Sequence, residues 1–140
     1  MKQEIAVTVD AVVLNNQNNK PKVLLIKRKN DPFENKWAIP GGFLEKDENL
    51  EYGAKRELEE ETGLKINTLI QLKTYGEVDR DPRGRTISIA FIAITQQQEV
   101  KAADDALEAK WFDLKELPSL AFDHSEILED AKLWLISQKP

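Results

Sequence analysis

The sequence predicts an α/β or α+β sandwich. Segments rich in β-branched residues recur along the chain, two other segments have helical periodicity, and the pair Gly41-Gly42 precedes the first of them. The 140 residues suit one domain spanning 1–140, and 41% hydrophobic with 32% charged residues is an ordinary globular composition. This composition excludes disordered chains, and no apolar run approaches the roughly 18 residues that span a bilayer.

The first half of the chain predicts a hairpin followed by a helix. Residues 5–14 and 23–27 favour two strands, and the polar stretch 15–19 favours the loop that joins them. Residues 28–40 predict a loop leading into the Gly-Gly pair. Residues 50–62 predict a helix, and Gly63 stands where a left-handed C-terminal cap belongs.

The second half predicts three strands and a closing helix. Residues 66–75 and 86–94 favour strands on either side of the charged loop 79–84, and residues 108–113 favour a further short strand. Asp123 is the expected N-cap of the last helix, and Glu126 follows it at capping-box spacing. An apolar face in the same segment supports this helix.

The counts of cysteine and histidine and the distribution of charge exclude several kinds of site and partner. With no cysteine and one histidine, thiolate sites, disulfides and zinc sites built on several imidazoles are excluded. The N-terminus has no secretory pattern, which predicts a cytoplasmic protein without a membrane partner. The whole net charge of −5 falls between Glu45 and Glu61, where eight acids face three bases, and this balance argues against nucleic acid as a partner.

The acidic residues of the first predicted helix are in unusual places. At about 100° per residue, Glu57 and Glu61 continue the apolar stripe toward the core, and Glu60 lies on its border. Carboxylates on such a stripe are costly unless they are paired or bound to a cation, and Arg56 brings only one charge. A hard divalent ion, Mg²⁺ or Mn²⁺, suits these oxygens. A solvated acidic face with ordinary i, i+4 pairs is the alternative.

The same region resembles the Nudix box. Gly42 and Glu48 lie at its spacing, and residues 56–64 complete the pattern Arg-Glu-U-x-Glu-Glu-x-Gly-U, with leucine at both aliphatic U positions. The resemblance implies a Nudix-type α/β/α sandwich, with a mixed sheet and the Nudix helix beside the Gly-Gly turn. It also implies hydrolysis of a nucleoside diphosphate linked to another group, with Mg²⁺ or Mn²⁺ as cofactor.

Carried onto matching positions, the resemblance assigns roles to the box. Glu57, Glu60 and Glu61, with the carbonyl of Gly41, are the implied metal ligands. Arg56 and Glu48 would orient those acids. The general base is open, because family members place it either in the box or on a later loop. Its candidates are Glu61, Glu99, Asp104, Asp105 and Glu108.

Two later segments, 79–86 and 120–124, resemble a subgroup that acts on ADP-ribose, including related transcriptional sensors. Arg28, Arg80 and Arg85 are the expected phosphate-binding residues, since guanidinium groups match phosphate oxygens. Arg83, next to a glycine, is expected to be solvated and to matter least. His124 is expected to line the substrate pocket or to serve only in capping and packing. Candidates for stacking on the base are Phe33 and Phe122.

The leading expectation is therefore hydrolysis of ADP-ribose to AMP and ribose 5-phosphate. Alternatives are a hydrolase of modified nucleoside triphosphates or of nucleoside-diphosphate sugars, and a non-catalytic ADP-ribose sensor. Only 16 residues follow His124, which leaves no space for the winged helix of a sensor. A homodimer is possible, as in other family members, but no segment identifies its interface.

Overall fold

A computed structural model describes residues 3–97, 99–102 and 106–138. The strands and helices follow in chain order: β1 (Ala6–Asn15), β2 (Lys22–Arg28), β3 (Trp37–Ala38), β4 (Gly41–Phe43), α1 (Leu50–Thr62), β5 (Ile70–Tyr75), β6 (Thr86–Ile94), β7 (Ala106–Asp113) and α2 (His124–Ser137). A single 3₁₀ turn, Gln17–Asn19, joins β1 to β2. Within the described residues, no helix is long and apolar enough to cross a membrane.

The strands form one mixed sheet with the main order β3-β2-β1-β6-β5. β1 runs antiparallel to β2, as the predicted hairpin requires, and parallel to β6 along its whole length. β7 adds to β2, and the short β4 adds to β1. The mixed sheet confirms the fold class that the sequence indicates.

The two helices cover opposite faces of the sheet. Alternation along β1 directs Val9, Ala11 and Val13 into one buried cluster with Ala54 and Leu58 of α1. The even-numbered Val12 and Leu14 belong to a second cluster, which Ile127, Leu128 and Ala131 of α2 complete. Both clusters are closed by residues from distant parts of the chain, so the three layers form one packed unit.

The sheet opens at one end, where β1 and β2 separate. These strands pair only at Leu14–Val23 and Asn15–Lys22. Beyond that point β2 pairs with β3, whereas residues 8–10 of β1 pair with β4. The gap between the two pairs is bridged by Ile39 and Pro40, and it positions the site described below.

Local details differ from the sequence prediction in three places. The predicted strand 66–75 begins only at Ile70, and the predicted loop 28–40 contains the short β3. Asp123 does occupy the N-cap of α2, but its side chain makes no capping hydrogen bond. Its carboxylate binds Arg80 instead, so the capping-box prediction is wrong.

Candidate active site

The gap between β1 and β2 is a cavity of about 420 Å³, a volume typical of small-molecule sites. Residues from five strands, from the loops that connect them and from both helices line it: Thr8, Asp10, Ile26, Arg28, Lys29, Asn30, Asp31, Ala38, Ile39, Gly41, Gly42, Phe43, Glu57, Glu61, Arg80, Asp81, Arg83, Ser88, Phe122 and His124. Most of them are polar or charged. The sequence-predicted residues Arg28, Gly41, Glu57, Glu61, Arg80 and His124 are therefore brought together here.

The acids of α1 differ in burial, as the helical wheel predicts. The Glu61 residue is 8% exposed, and its Oε1 accepts the backbone N–H of Gly41 at 2.8 Å. Glu57 also lines the cavity, and burial raises the pKa of its carboxyl despite the bond with Arg56. Glu60 lies on the border, with a side chain that is 45% exposed, and it does not line the cavity. Glu59 points outward.

Arg56 is the centre of this acidic face. It binds Glu48 through two nitrogens and reaches Glu57 at 2.9 Å and Glu60 at 3.2 Å. The Glu48 side chain is only 4% exposed, and its hydrogen bond with Arg56 lowers the pKa of its carboxyl. Among the described residues, no three acidic or histidine side chains converge closely enough to hold a metal ion. The orientation by Arg56 and Glu48 is the arrangement that the resemblance implies.

Two glycines allow the backbone of β4 to approach the acids. A Cβ on Gly42 would lie 2.7 Å from the Glu57 carboxylate. A Cβ on Gly41 would lie 2.1 Å from Oδ1 of Asp10 and 2.4 Å from the backbone oxygen of Val9. Close approach, and not an unusual backbone angle, is therefore the reason for glycine at both positions.

Arginine side chains and aromatic rings also line the cavity. The guanidinium groups of Arg28 and Arg83 lie 5.0 and 4.9 Å from the centre of the Phe122 ring, and Arg83 also lies 4.6 Å from the Phe43 ring. Burial, and then the charge of Arg83, lower the pKa of Arg28. Phe122 contacts Phe33 at 4.8 Å between ring centres. Two nearby guanidinium groups form a setting for an anion.

The loop between β5 and β6 arranges its three arginines differently from the expectation. The Arg80 side chain is 4% exposed and donates to Asp123, Ser88 and the carbonyl of Thr86. Arg85 does not line the cavity, because its guanidinium donates to the carbonyl of Gly76 on the other side of the loop. Arg83, expected to matter least, lines the cavity and is held by Asp81.

His124 joins the cavity wall to the core. Its Nδ1 accepts the backbone N–H of Ile39 at 3.0 Å, and the residue is 6% exposed. Burial lowers the pKa of its imidazole to about 4, so the ring is neutral near pH 7. The structure thus gives His124 both features considered from sequence, a packing contact and a place in the pocket wall.

Sequence reasoning missed Asp10. The residue is 5% exposed, lies on β1 opposite Gly41, and lines the cavity beside Thr8. Burial raises the pKa of its carboxyl to about 7, although the charge of Arg80 opposes the shift. The available signal was an acid inside the apolar strand segment 5–14, where the alternation calls for an apolar or neutral residue on a covered face.

The candidates for a general base are separated by their positions. Glu61 lines the cavity, whereas Glu99 is exposed outside it and Glu108 of β7 forms an ion pair with Lys27. Asp104 and Asp105 lie outside the described residues. Chemically, the cavity combines carboxylates with guanidinium groups, and this combination suits a phosphate compound that is attacked by water.

Comparison with known proteins gives consistent matches. The NUDIX domain profile matches residues 4–131. An ADP-ribose pyrophosphatase of Methanocaldococcus jannaschii is 50% identical over 92% of this chain and 74% of its own length. An ADPR-responsive transcriptional repressor, NtrR, of Acinetobacter baylyi is 35% identical over 89% of this chain, which spans 52% of the repressor. The NUDIX domain of Shewanella oneidensis NrtR, solved with ADP ribose, superposes with a TM-score of 0.89 at 34% identity, covering 96% of this chain and 90% of that one.

Proposed function

The chain belongs to the Nudix family of hydrolases, and from that premise we propose that it splits ADP-ribose into AMP and ribose 5-phosphate. One observation carries the proposal. A single cavity is lined by the acids Glu57 and Glu61 and by Arg28 and Arg83, whose guanidinium groups lie 5.0 and 4.9 Å from the centre of the Phe122 ring. A diphosphate suits such a cavity, because the guanidinium groups can bind its oxygens while the carboxylates serve the attacking water. The relatives named for ADP-ribose give further support.

The proposed cofactor is Mg²⁺ or Mn²⁺. Carboxylate and carbonyl oxygens are the ligands that these hard ions prefer, and Glu57, Glu61 and the Gly41 carbonyl would supply them at the cavity. Glu60, which lies on the border and binds Arg56, would have to turn toward the ion to join them. When bound, the ion would neutralise diphosphate charge and lower the pKa of a coordinated water. Glu48 holds Arg56, which in turn fixes the Glu57 and Glu60 side chains, so this pair would orient the ligands.

The proposed hydrolysis adds one water across the P–O–P linkage. The water oxygen bonds to one phosphorus, the bond from that phosphorus to the bridging oxygen breaks, and the proton is taken by a carboxylate. We propose Glu61 as the general base that accepts this proton, because among the described candidates it lines the cavity whereas Glu99 and Glu108 do not. Asp104 and Asp105 stay candidates for the same role.

We also propose that the protein acts in the cytoplasm on a small nucleotide, without a nucleic-acid partner, and that a homodimer is possible. The acidic window between Glu45 and Glu61 supports the absence of nucleic acid. The matching repressor makes an ADP-ribose sensor the second candidate function. Turnover separates the two candidates, because a sensor binds ADP-ribose without consuming it.

A substrate panel tests the proposal. Product release is measured with ADP-ribose, NADH, a dinucleoside polyphosphate, a nucleoside-diphosphate sugar and an oxidised nucleoside triphosphate. The highest kcat/KM is expected for ADP-ribose, with AMP and ribose 5-phosphate as products. Preference for the oxidised triphosphate, or tight binding of ADP-ribose without turnover, would contradict it.

A matched pair of arginine variants tests the phosphate-binding wall. Arg83→Ala is expected to raise KM for ADP-ribose and to lower kcat/KM about tenfold or more, because charge-assisted hydrogen bonds contribute roughly 1.5–3 kcal/mol. Arg85→Ala, in the same loop but outside the cavity, is expected to change kcat/KM less than twofold. Equal losses in the two variants would show that the loop acts only through its folding.

A further inference from the structure

Asp10 is a buried carboxylate that the proposed hydrolysis does not use. Its Oδ2 is buried and makes no hydrogen bond within the described part of the chain. Leaving a buried polar atom unpaired costs free energy, and more so for a charged group. Native proteins retain such groups where a ligand or water completes them, and Asp10 lines the cavity in which the substrate would bind.

The protein groups next to Asp10 are directed elsewhere. The hydroxyls of Thr8 and Ser88 share a short hydrogen bond. Arg80 donates to Ser88 and, through two nitrogens, to Asp123. On its other side, Asp10 packs against Gly41 so closely that no Cβ fits between them. The packing therefore accommodates the Asp10 carboxylate, and none of these protein groups donates a hydrogen bond to its Oδ2.

The charged and polar groups around Asp10 indicate which kind of ligand group can donate a hydrogen bond to its Oδ2. At an ionised Asp10 a phosphate oxygen is disfavoured, because two acceptors would face each other and the charges of Asp123 and Glu57 also act on Asp10. A divalent cation at Asp10 would be repelled by Arg80 and Arg83, whose charges act on the same carboxylate. A neutral donor meets neither penalty. Hydroxyl groups suit this part of the cavity best, since Thr8, Ser88 and Arg80 make the lining near Asp10 polar.

We propose that Asp10 is a specificity residue whose carboxylate accepts a hydrogen bond from a ribose hydroxyl of the substrate. The proposal rests on the proposed hydrolysis of ADP-ribose, which contains two riboses. Sites that hydrogen-bond a substrate hydroxyl reject the analogue that lacks it, because the buried acceptor is then left unpaired. Asp10 thus selects ribose over deoxyribose substrates.

This role is tested by asking whether the effect of substituting Asp10 on kcat/KM depends on the presence of a ribose hydroxyl in the substrate. Such a dependence is called coupling below. Wild-type protein, Asp10→Ala and Asp10→Asn are assayed with ADP-ribose, with its 2′-deoxy analogue on the adenosine ribose, and with its 2″-deoxy analogue on the terminal ribose. Wild type is expected to lose about 10- to 100-fold in kcat/KM on one of the two analogues. Asp10→Ala is expected to lose a similar factor on ADP-ribose and less than twofold more on that analogue, with Asp10→Asn intermediate. The affected analogue identifies the ribose.

Two controls separate this role from folding and metal binding. Asp130→Asn removes a carboxylate that binds Tyr75 away from the cavity, and it is expected to change no substrate preference. Asp10→Ala is expected to unfold at a temperature equal to or above that of wild type, because it removes an unpaired buried group. Its Mn²⁺ affinity, measured by titration calorimetry, is expected to equal that of wild type.

Several outcomes would overturn the role of Asp10. They are equal losses of kcat/KM by Asp10→Ala, relative to wild type, on all three substrates, or weakened Mn²⁺ binding by Asp10→Ala. A wild-type protein that hydrolyses ADP-ribose without coupling refutes the role of Asp10 alone. A wild-type protein that does not hydrolyse ADP-ribose refutes the proposed function and this inference together.

Discussion

At the scale of single residues, Arg56 connects the acids of α1 to the chain before the helix. Hydrogen bonding to Glu48 raises its pKa above the usual range, so the guanidinium stays charged. One such charge cannot balance Glu48, Glu57 and Glu60 together, although all three accept its hydrogen bonds. A surplus of negative charge therefore remains on the side of the helix that faces the cavity.

Substitution of the individual acids tests this charge distribution. Glu57→Gln and Glu61→Gln preserve size but remove a charged oxygen at the cavity, and we expect kcat to fall by several orders of magnitude with little loss of stability. Glu60→Gln is expected to do the same, because Glu60 is one of the proposed cofactor ligands. The matched control is Glu59→Gln, which points outward and should be nearly silent. Comparable damage at position 59 would contradict the assignment.

The lowered pKa of His124 predicts how the contribution of this residue to the free energy of unfolding depends on pH. The pKa of its imidazole is about 4 in the folded protein, against an ordinary value near 6.5. The unfolded chain therefore binds a proton below about pH 6.5 that the folded protein excludes, so the contribution of His124 to stability falls as the pH is lowered toward 4. Asp10 acts in the opposite direction over the same range, because its raised pKa lets the folded chain take up a proton before the unfolded chain does. We expect His124 to remove about 2 kcal/mol of unfolding free energy between pH 7 and pH 5.

Urea unfolding at several pH values measures the effect of His124. In His124→Asn, the amide oxygen can still accept the Ile39 N–H but has no proton to gain. Compared with wild type, which keeps the same Asp10, the change in unfolding free energy between pH 7 and pH 5 should therefore be about 2 kcal/mol more favourable to the folded state. Because the chain has one histidine, a single imidazole NMR signal reports the same pKa. Titration of that signal near pH 6.5 would refute the prediction.

At the scale of elements, β4 is held between β1 and α1, and its two glycines face different neighbours. Gly41→Ala would press its Cβ on the backbone of Val9 as well as on Asp10, and backbone cannot move away cheaply. Gly42→Ala would meet only the end of the Glu57 side chain. We therefore expect Gly41→Ala to destabilise the fold by roughly 1–3 kcal/mol and Gly42→Ala to cost less stability but most of the activity.

Thermal unfolding and kcat, measured on both glycine variants, check this contrast. The informative comparison is between stability and activity within each variant. A Gly42→Ala protein with full activity would show that the Glu57 carboxylate can move aside without consequence. A Gly41→Ala protein as stable as wild type would show that β4 is not tightly packed against β1.

The elements also show where sequence reasoning succeeds. Helix α1 begins and ends at the predicted residues 50 and 62, because its periodicity and the Gly63 cap are local signals. The hairpin of β1 and β2 is likewise local. The gap between β1 and β2 is not a local feature, because it depends on β3 and β4 pairing with different strands. The position of Asp10 in the cavity wall follows from this gap and therefore could not be predicted from local signals. Spacing also could not decide that Arg83 faces the cavity whereas Arg85 turns away.

At the scale of the whole molecule, the charge is unevenly distributed. All of the net charge of −5 lies between Glu45 and Glu61, on the turn and helix that carry the cavity-lining acids Glu57 and Glu61. Folding brings these charges together against a sheet of low polarity, and their repulsion opposes folding. A divalent cation bound there would stabilise the whole three-layer unit, because it binds the folded chain more tightly than the unfolded one.

Thermal unfolding with and without metal tests this linkage. At a Mg²⁺ or Mn²⁺ concentration 100 times its dissociation constant, binding adds about 2.7 kcal/mol. For a chain of this length we expect an increase in Tm of roughly 5–10 °C. Chelation should reverse the shift and abolish hydrolysis.

Sodium chloride at equal ionic strength is the control for simple screening and should give a smaller shift. Glu61→Gln should lose most of the metal-dependent increase while Glu59→Gln keeps it. Full activity after exhaustive chelation would refute the proposed cofactor, and an equal shift with sodium chloride would refute specific binding.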